Sequence, residues 1–254
     1  MLLAVDIGNT NIEIGVFRGE KLIENWKMKT VKDKTRDEYV LALINLFRFT
    51  SLGVGDIDAV IVSSVVPPLT PVFQDLSLKL FKRKSLVVGP GLKTGMSILY
   101  ENPQEVGADR VVASVAAFEK YGGPCIVVDF GTAITFDAIS SKGEYLGGAI
   151  APGIQISEEA LFRRTAKLPR VEIKKPKKAI GRTTVASIQS GLFFGYIGLI
   201  SNIIAHIKKE LGSDTRVIST GGFARQITPE IKAIDHEEPH LVLEGLRILY
   251  QKNS

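Results

Sequence analysis

The chain has 254 residues, with 32 Lys and Arg against 27 Asp and Glu, a net charge of +5, and near-average 45% hydrophobic and 23% charged content. It can bury one large core or two smaller ones, and no segment is disordered or of low complexity by composition. A lone cysteine, Cys125, excludes an intramolecular disulfide and a thiolate metal cluster, and its apolar setting in "PCIVVDF" suits a buried thiol in a reducing cytoplasm.

The opening apolar run stops at Asp6, too early for a signal peptide. "LLAVDIGNTNIEIGVFRGEKLIENWKMKT" alternates apolar and polar residues in three runs, with Gly8-Asn9 and Arg18-Gly19-Glu20 at the reversals, and predicts a three-stranded antiparallel meander. A helix is expected over "TRDEYVLALINLFRF", opened by Thr35 with Asp37 and Glu38 in its first turn. Next come the buried strand of "IDAVIVSSVVPP", a helix at "LTPVFQDLSLKLF" and the strand "SLVVGPG". "NPQEVGADRVVASVAAFEKYGG" then ends in a small-residue helix closed by Gly122-Gly123.

At "CIVVDFGTAITFDAISSKGEYLGGAIAPG" the strand and turn pattern starts again. Asp129-Phe130-Gly131-Thr132 answers Asp6-Ile7-Gly8-Asn9, 123 residues on (129 − 6). So long and weak a repeat implies a duplicated half-domain rather than a solenoid. The expected halves are 1–116 and 117–254, the last helix being able to pack back on the first half, and two facing halves would make a cleft.

A helix at "ISEEALFRRTA" precedes the basic loop "EIKKPKKAIGR", which reads as a solvated loop or a phosphate or nucleic-acid contact, the last weakened by the lack of interleaved aromatics. A long apolar helix runs from about Thr184 to Leu211 and stops at Gly212. Gln189, Asn202 and His206 bracket its apolar stretch, which favours a core or interface helix over a membrane span. Gly191, Gly195 and Gly198 share one face, where another backbone, such as a partner subunit's helix, could pack closely. The strand "TRVISTGG" and the helix "HLVLEGLRILYQKN" complete the chain.

Two Gly-containing turns that end in Asn or Thr can cradle phosphate oxygens on backbone N–H groups, and an Asp at the strand end before such a turn can hold a Mg²⁺-bound water. Asp6 and Asp129 both occupy that position. A hairpin turn rich in turn formers accounts for either alone, but not for the pair at matching places. "DFG" lacks every other protein-kinase signature, and "GPGLKTG" lacks P-loop spacing. Asp109 reads locally as a helix N-cap or, with Gly107 before it and Arg110 after it, as an acid beside an anion site. "STGGFARQI" ends a strand in Gly221-Gly222 and enters a helix, and the glycine pair could lie against a nucleotide's sugar and base or form a plain turn. His206, His236 and His240 have no metal-ligand spacing.

Taken in order, "DIGNTNIEIGVF", "NPQEVGADRVV", "DFGTAITFD", "GGAIAPG", "TAKLP", "GRTTVASIQSG" and "TGG" resemble the type III pantothenate kinases, of the acetate kinase, Hsp70 and actin superfamily, over essentially the whole chain. The resemblance implies an α/β fold built as a duplicated ribonuclease H-like, actin-like ATPase, two mixed-sheet halves around a cleft. It implies transfer of the γ-phosphate of ATP to the terminal hydroxyl of pantothenate, the first committed step toward coenzyme A. It also implies a cytoplasmic homodimer using Mg²⁺ and a monovalent cation (K⁺ or NH₄⁺), its active site near the subunit interface, with no role for nucleic acid or membrane.

Residue by residue, Asp6, Ile7, Gly8, Asn9, Thr10, Asn11, Ile12 and Glu13 resemble the first phosphate motif, and Thr132 the second. Asp109 resembles the general base and Asp129 the K⁺ ligand. Tyr100, Gly107, Ala108, Asp109, Arg110 and Thr184 resemble pantothenate contacts, Thr184 being lent by the other subunit. Ala133-Ile134-Thr135 stands where Ala-Thr-Thr is usual in the family, which removes a hydroxyl from a minor ATP or cation contact. The competing readings are a phosphotransferase for sugar, acetate or polyphosphate, and a nucleotide-dependent regulatory protein without turnover.

Overall fold

The alternation at the start of the chain forms β1 (Leu2–Ile7), β2 (Asn11–Arg18) and β3 (Lys21–Lys29), an antiparallel meander with Asp6 opposite Glu13 and Ile7 opposite Ile12. The computed structural model describes residues 1–254. They divide into two units, one of Met1–Met96, Glu101–Ala116 and Leu241–Ser254, the other of Ser97–Tyr100 and Ala117–His240.

In the first unit, β4 (Ala59–Ser64) pairs parallel with β1 and β5 (Ser85–Val87) parallel with β4, giving the order β3-β2-β1-β4-β5. A parallel neighbour requires a crossover, and α1 (Arg36–Arg48) lies in the one that leads to β4. A capping box starts α1: the Glu38 N–H donates to Thr35 Oγ1, and the Thr35 N–H donates to the Glu38 carboxylate. Tyr39, Leu43 and Phe47 of α1 pack with Phe73 of α2 (Leu69–Leu76) over Val5, Ile12 and Ile14. A wide π-type turn, Ser77–Phe81, extends α2.

Leu2, Leu3, Ala4 and Val5 are all buried although their side chains alternate between faces, so β1 is covered on both sides. The second face receives α7 (Leu241–Asn253), whose Leu243 reaches Gly15 of β2. Gly245 of α7 lies so close to α3 (Ala108–Tyr121) that a Cβ there would stand 2.2 Å from the Val112 carbonyl oxygen.

The second unit repeats the arrangement. β6 (Cys125–Phe130), β7 (Ala133–Ile139) and β8 (Tyr145–Pro152) form a meander, and β9 (Arg216–Thr220) and β10 (His236–Glu237) add in parallel, in the order β10-β9-β6-β7-β8. Burial along β6 matches β1 position for position. α4 (Ile154–Arg164) starts two residues before the expected Ile156 because Gly153 is its cap. α6 (Ala224–Ile227) is the helix expected after Gly221-Gly222, whereas β10 has no predicted counterpart, being too short to show a period.

α5 (Thr184–Leu211) spans the predicted residues, capped by Thr183 and ended by Gly212 at φ +109°. By length and composition alone it would qualify as a membrane span. Its Ile188, Leu192, Phe193, Tyr196, Ile200 and Ile204 instead form the core over β6 and β7, a stripe at helical spacing. Gly191, Gly195 and Gly198 face open space, where an added Cβ would meet nothing within 4 Å. The basic loop is irregular and tied to α5 by Gln189, which donates to the Glu172 carbonyl at 2.7 Å, and by Ser190, which donates to the Ala179 carbonyl at 2.5 Å.

In a helix interior, Gly→Ala normally adds about 1 kcal/mol of stability. At Gly245 the sign reverses, since the methyl would overlap the Val112 carbonyl. Gly245→Ala is expected to lose about 1–3 kcal/mol in urea unfolding, the usual scale of overpacking, and a stabilised variant would show that α7 does not dock this tightly.

Candidate active site

β1 carries its polar groups where its buried run ends. Asp6 is half-buried, Ile7 is fully buried, and the turn then exposes Asn9 and Thr10. The Gly8 N–H donates to the Asn11 carbonyl at 3.0 Å and closes the turn on itself. Ile7 and Ile12 are core residues, so they offer the site backbone only. Glu13 lies opposite Asp6 and on the same face of the sheet, in an ion pair with Lys27 of β3 at 2.5 Å.

The N-terminus of α3 lies beside this turn within the same unit. The Val65 N–H donates to the Ile7 carbonyl at 3.0 Å, and the Val65 side chain packs over Gly107, 3.5 Å from where a Cβ would be. Asp109 lies inside the first turn of α3, not before it as a cap; the Gly107 carbonyl accepts the first helical bond, from the Val111 N–H at 3.2 Å. The Asp109 carboxylate folds back over Gly107, where a Cβ would stand 2.5 Å from Oδ1. A side chain at position 107 would displace that carboxylate.

Burial pushes the Asp109 carboxyl above the usual carboxylate range, opposed by the Arg110 N–H, which donates to Oδ1 at 2.8 Å, and by the Arg110 charge. The first unit therefore gathers Asp6, the Gly8–Asn11 turn, Ala108, Asp109 and Arg110 near the C-terminal end of its central strand. A desolvated carboxylate next to an arginine is equipped to accept a proton from a bound acid-bearing alcohol.

In the second unit Asp129 is the penultimate residue of β6, before buried Phe130, and Thr132 lies in the exposed turn to β7. Two further turns close on this point. At Gly221, φ +94°, a Cβ would stand 2.3 Å from Asp129 Oδ1 and 2.7 Å from the Phe130 nitrogen. At Gly153 a Cβ would stand 2.1 Å from the Thr132 carbonyl oxygen. Ile134 is buried in the core, so a threonine there would direct its hydroxyl into apolar surroundings and away from the turn. The side chain at this position belongs to the core and not to the exposed turn.

Tyr100 is held elsewhere in the second unit, against Gly147 and beside Tyr145 of β8 with ring centroids 6.4 Å apart. Gly147 lies five residues before Pro152 at the turn end of β8, about 17 Å by strand rise. Thr184 is the exposed first residue of α5. Sequence reasoning passed over Asp137, a buried carboxylate that accepts from the Tyr145 hydroxyl at 2.7 Å and the Thr135 hydroxyl at 3.2 Å. An isolated acid in an apolar strand gives no local signal of its partners.

Lone carboxylates at strand ends suit hard cations that keep much of their water. No group of three His, Cys, Asp or Glu side chains gathers to hold a metal, so the donor set fits a hydrated ion and not a protein cage.

A carboxyl whose folded pKa is raised adds stability below its unfolded pKa, about 3.9, and that contribution is lost as pH rises through the folded value. Charged Asp109 therefore costs stability at neutral pH. Asp109→Asn is expected to melt at or above the wild-type Tm at pH 7, with the difference closing toward pH 3. A lower Tm at pH 7 would mean that the helix end needs the charge more than burial opposes it.

The type III pantothenate kinase family profile matches residues 2–206. The type III pantothenate kinase of Geobacter sulfurreducens is 55% identical over 253 residues, covering 100% of this chain and 99% of that protein. That of Moorella thermoacetica is 53% identical over 254 residues, covering 100% of both. Among solved structures, an inorganic polyphosphate/ATP-glucomannokinase from Arthrobacter superposes with a TM-score of 0.51 at 17% identity, over 100% of this chain and 99% of that one. At that identity the likeness shows the fold alone, the actin-like ATPase and sugar-kinase arrangement.

Proposed function

The chain belongs to the type III pantothenate kinase family, and on that premise we propose how its own residues perform the reaction. The enzyme transfers the γ-phosphate of ATP to the terminal hydroxyl of pantothenate, giving 4′-phosphopantothenate in coenzyme A biosynthesis. The observation that supports the assignment of roles is the desolvated Asp109 carboxylate beside Arg110, at the same end of the central strand as the Asp6 turn.

Phosphoryl transfer asks for positioning and charge neutralisation more than covalent chemistry. The exposed turns after Asp6 and Asp129 present backbone N–H groups to ATP phosphate oxygens. Arg110 pairs with the pantothenate carboxylate, a charge-assisted contact that fixes the substrate by its far end. Asp109 accepts the hydroxyl proton as the oxygen attacks, and its raised pKa brings its basicity closer to the working pH. Asp6 would hold hydrated Mg²⁺ and Asp129 a monovalent cation, which when bound supply positive charge against the polyphosphate.

The open glycine face of α5 supports packing against a second copy, which would lend Thr184 to the pantothenate pocket. A cytoplasmic setting agrees with Cys125, a buried free thiol pushed up to about 12 by burial and so inert.

The test is an assay with ATP and pantothenate, with and without K⁺. Product formation that weakens when Na⁺ replaces K⁺ is expected; phosphorylation of glucose or acetate with pantothenate inert would overturn the substrate. Asp109→Asn should keep ATP affinity while kcat falls about 10²-fold or more. In the wild type, kcat/KM should fall with falling pH through a pKa above about 3.9, and full activity of the Asn variant would remove Asp109 from the mechanism. Gly195→Leu should convert a dimer to a monomer in sedimentation.

A further inference from the structure

Thr30 follows β3 directly, and its backbone and side chain both close on the turn after β1. Its N–H donates to the Thr10 carbonyl at 2.9 Å, and its hydroxyl donates to the Gly8 carbonyl at 2.7 Å. These two bonds occupy carbonyls on either side of Asn9. The turn's oxygens are thereby drawn toward β3, leaving exposed Asn9 to present its amide to solvent.

The corresponding residue of the second unit follows from strand register. Asn11 pairs with Lys29, and the next residue is Thr30; Ala133 pairs with Pro152, and the next residue is Gly153. Gly153 also closes on its turn, with the position of a Cβ 2.1 Å from the Thr132 carbonyl oxygen and 2.8 Å from that of Gly131. Its φ of −67° and ψ of 155° are open to any residue, so the glycine is demanded by contact and not by backbone conformation. Gly153 cannot retreat either, because the Tyr196 hydroxyl donates to the Pro152 carbonyl at 2.9 Å and lies 3.2 Å from the Gly153 carbonyl.

We propose that Thr30 and Gly153 are paired positioning residues, each fixing the phosphate turn of its own unit from the end of the third strand. Neither touches ATP. Thr30 acts by hydrogen bonds to the Gly8–Thr10 turn, and Gly153 by allowing β8 to lie in contact with the Gly131–Thr132 peptide. The difference follows from turn length: Ile7 and Ile12 are paired across Gly8–Asn11, whereas Phe130 and Ile134 are paired across Gly131–Ala133, one residue fewer. The longer turn has slack that a hydroxyl takes up; the shorter one has no room for a side chain.

The proposal rests on the reading of both turns as ATP phosphate sites, and the experiment separates the two. Full-length wild type, Thr30→Val, Thr30→Ser and Gly153→Ala are compared by the Kd of a non-hydrolysable ATP analogue, by KM for ATP and for pantothenate, and by Tm. Thr30→Val should weaken analogue binding and raise KM for ATP roughly 3- to 10-fold, the scale of one lost hydrogen bond. Its KM for pantothenate should stay within about twofold, and Thr30→Ser should restore ATP affinity. Gly153→Ala should weaken ATP more than Thr30→Val does. If the wild type binds the analogue and Thr30→Val binds it equally, or if serine fails to rescue, the positioning role is overturned alone. If the wild type itself fails to bind the analogue, the ATP reading falls and the proposal with it.

Discussion

Burial of the first strand of each sheet on both faces is the constraint on which the rest depends. β1 and β6 carry side chains into two packed layers, so neither can place a charge along its length without a large desolvation cost. Polar groups can appear only where the strand runs out. Asp6 and Asp129 stand at that place, each one residue short of the last buried position, with an exposed turn after it. A carboxylate there is anchored by a rigid strand while it faces partners beyond the sheet.

From this constraint follows the clustering of glycines at the strand ends. Once the first strand has supplied its acid and its turn, neighbouring connections must approach the same point to shape it. Side chains stand in the way. Gly107 yields to the Asp109 carboxylate, Gly221 to the Asp129 carboxylate, and Gly153 to the Thr132 peptide. Each glycine transmits the position of one element to another by direct contact, and such contacts are sensitive to a single methyl group.

Asp109 is placed differently from Asp6 and Asp129. Asp109 lies within a helix turn and under packing that raises its pKa, where Arg110 only partly restores the preference for charge. Burial that makes it a better base at neutral pH also costs stability there. Asp6 and Asp129 stand instead near strand ends, each one buried residue before a turn.

Much of the fold was legible in the chain itself, because alternation and helical spacing are local properties. The three-stranded start, the Thr35 capping box, the extent of α5 and the echo of Asp6 in Asp129 can all be read from residues a few positions apart or from one pattern repeated. The contacts that build the site cannot. Nothing near Thr30 in the chain marks it as a clamp on Gly8, and nothing near Gly245 marks the Val112 carbonyl against which it lies. Ile134 looked like a lost hydroxyl and is a core residue, because its direction is set by the pleat. The sequence alone determined which residue types stand where each buried strand ends, since apolar runs and turn formers are written consecutively. Tertiary structure alone decided which turns meet, how deeply Asp109 is desolvated and where no side chain fits, because those depend on distances between segments far apart in the chain.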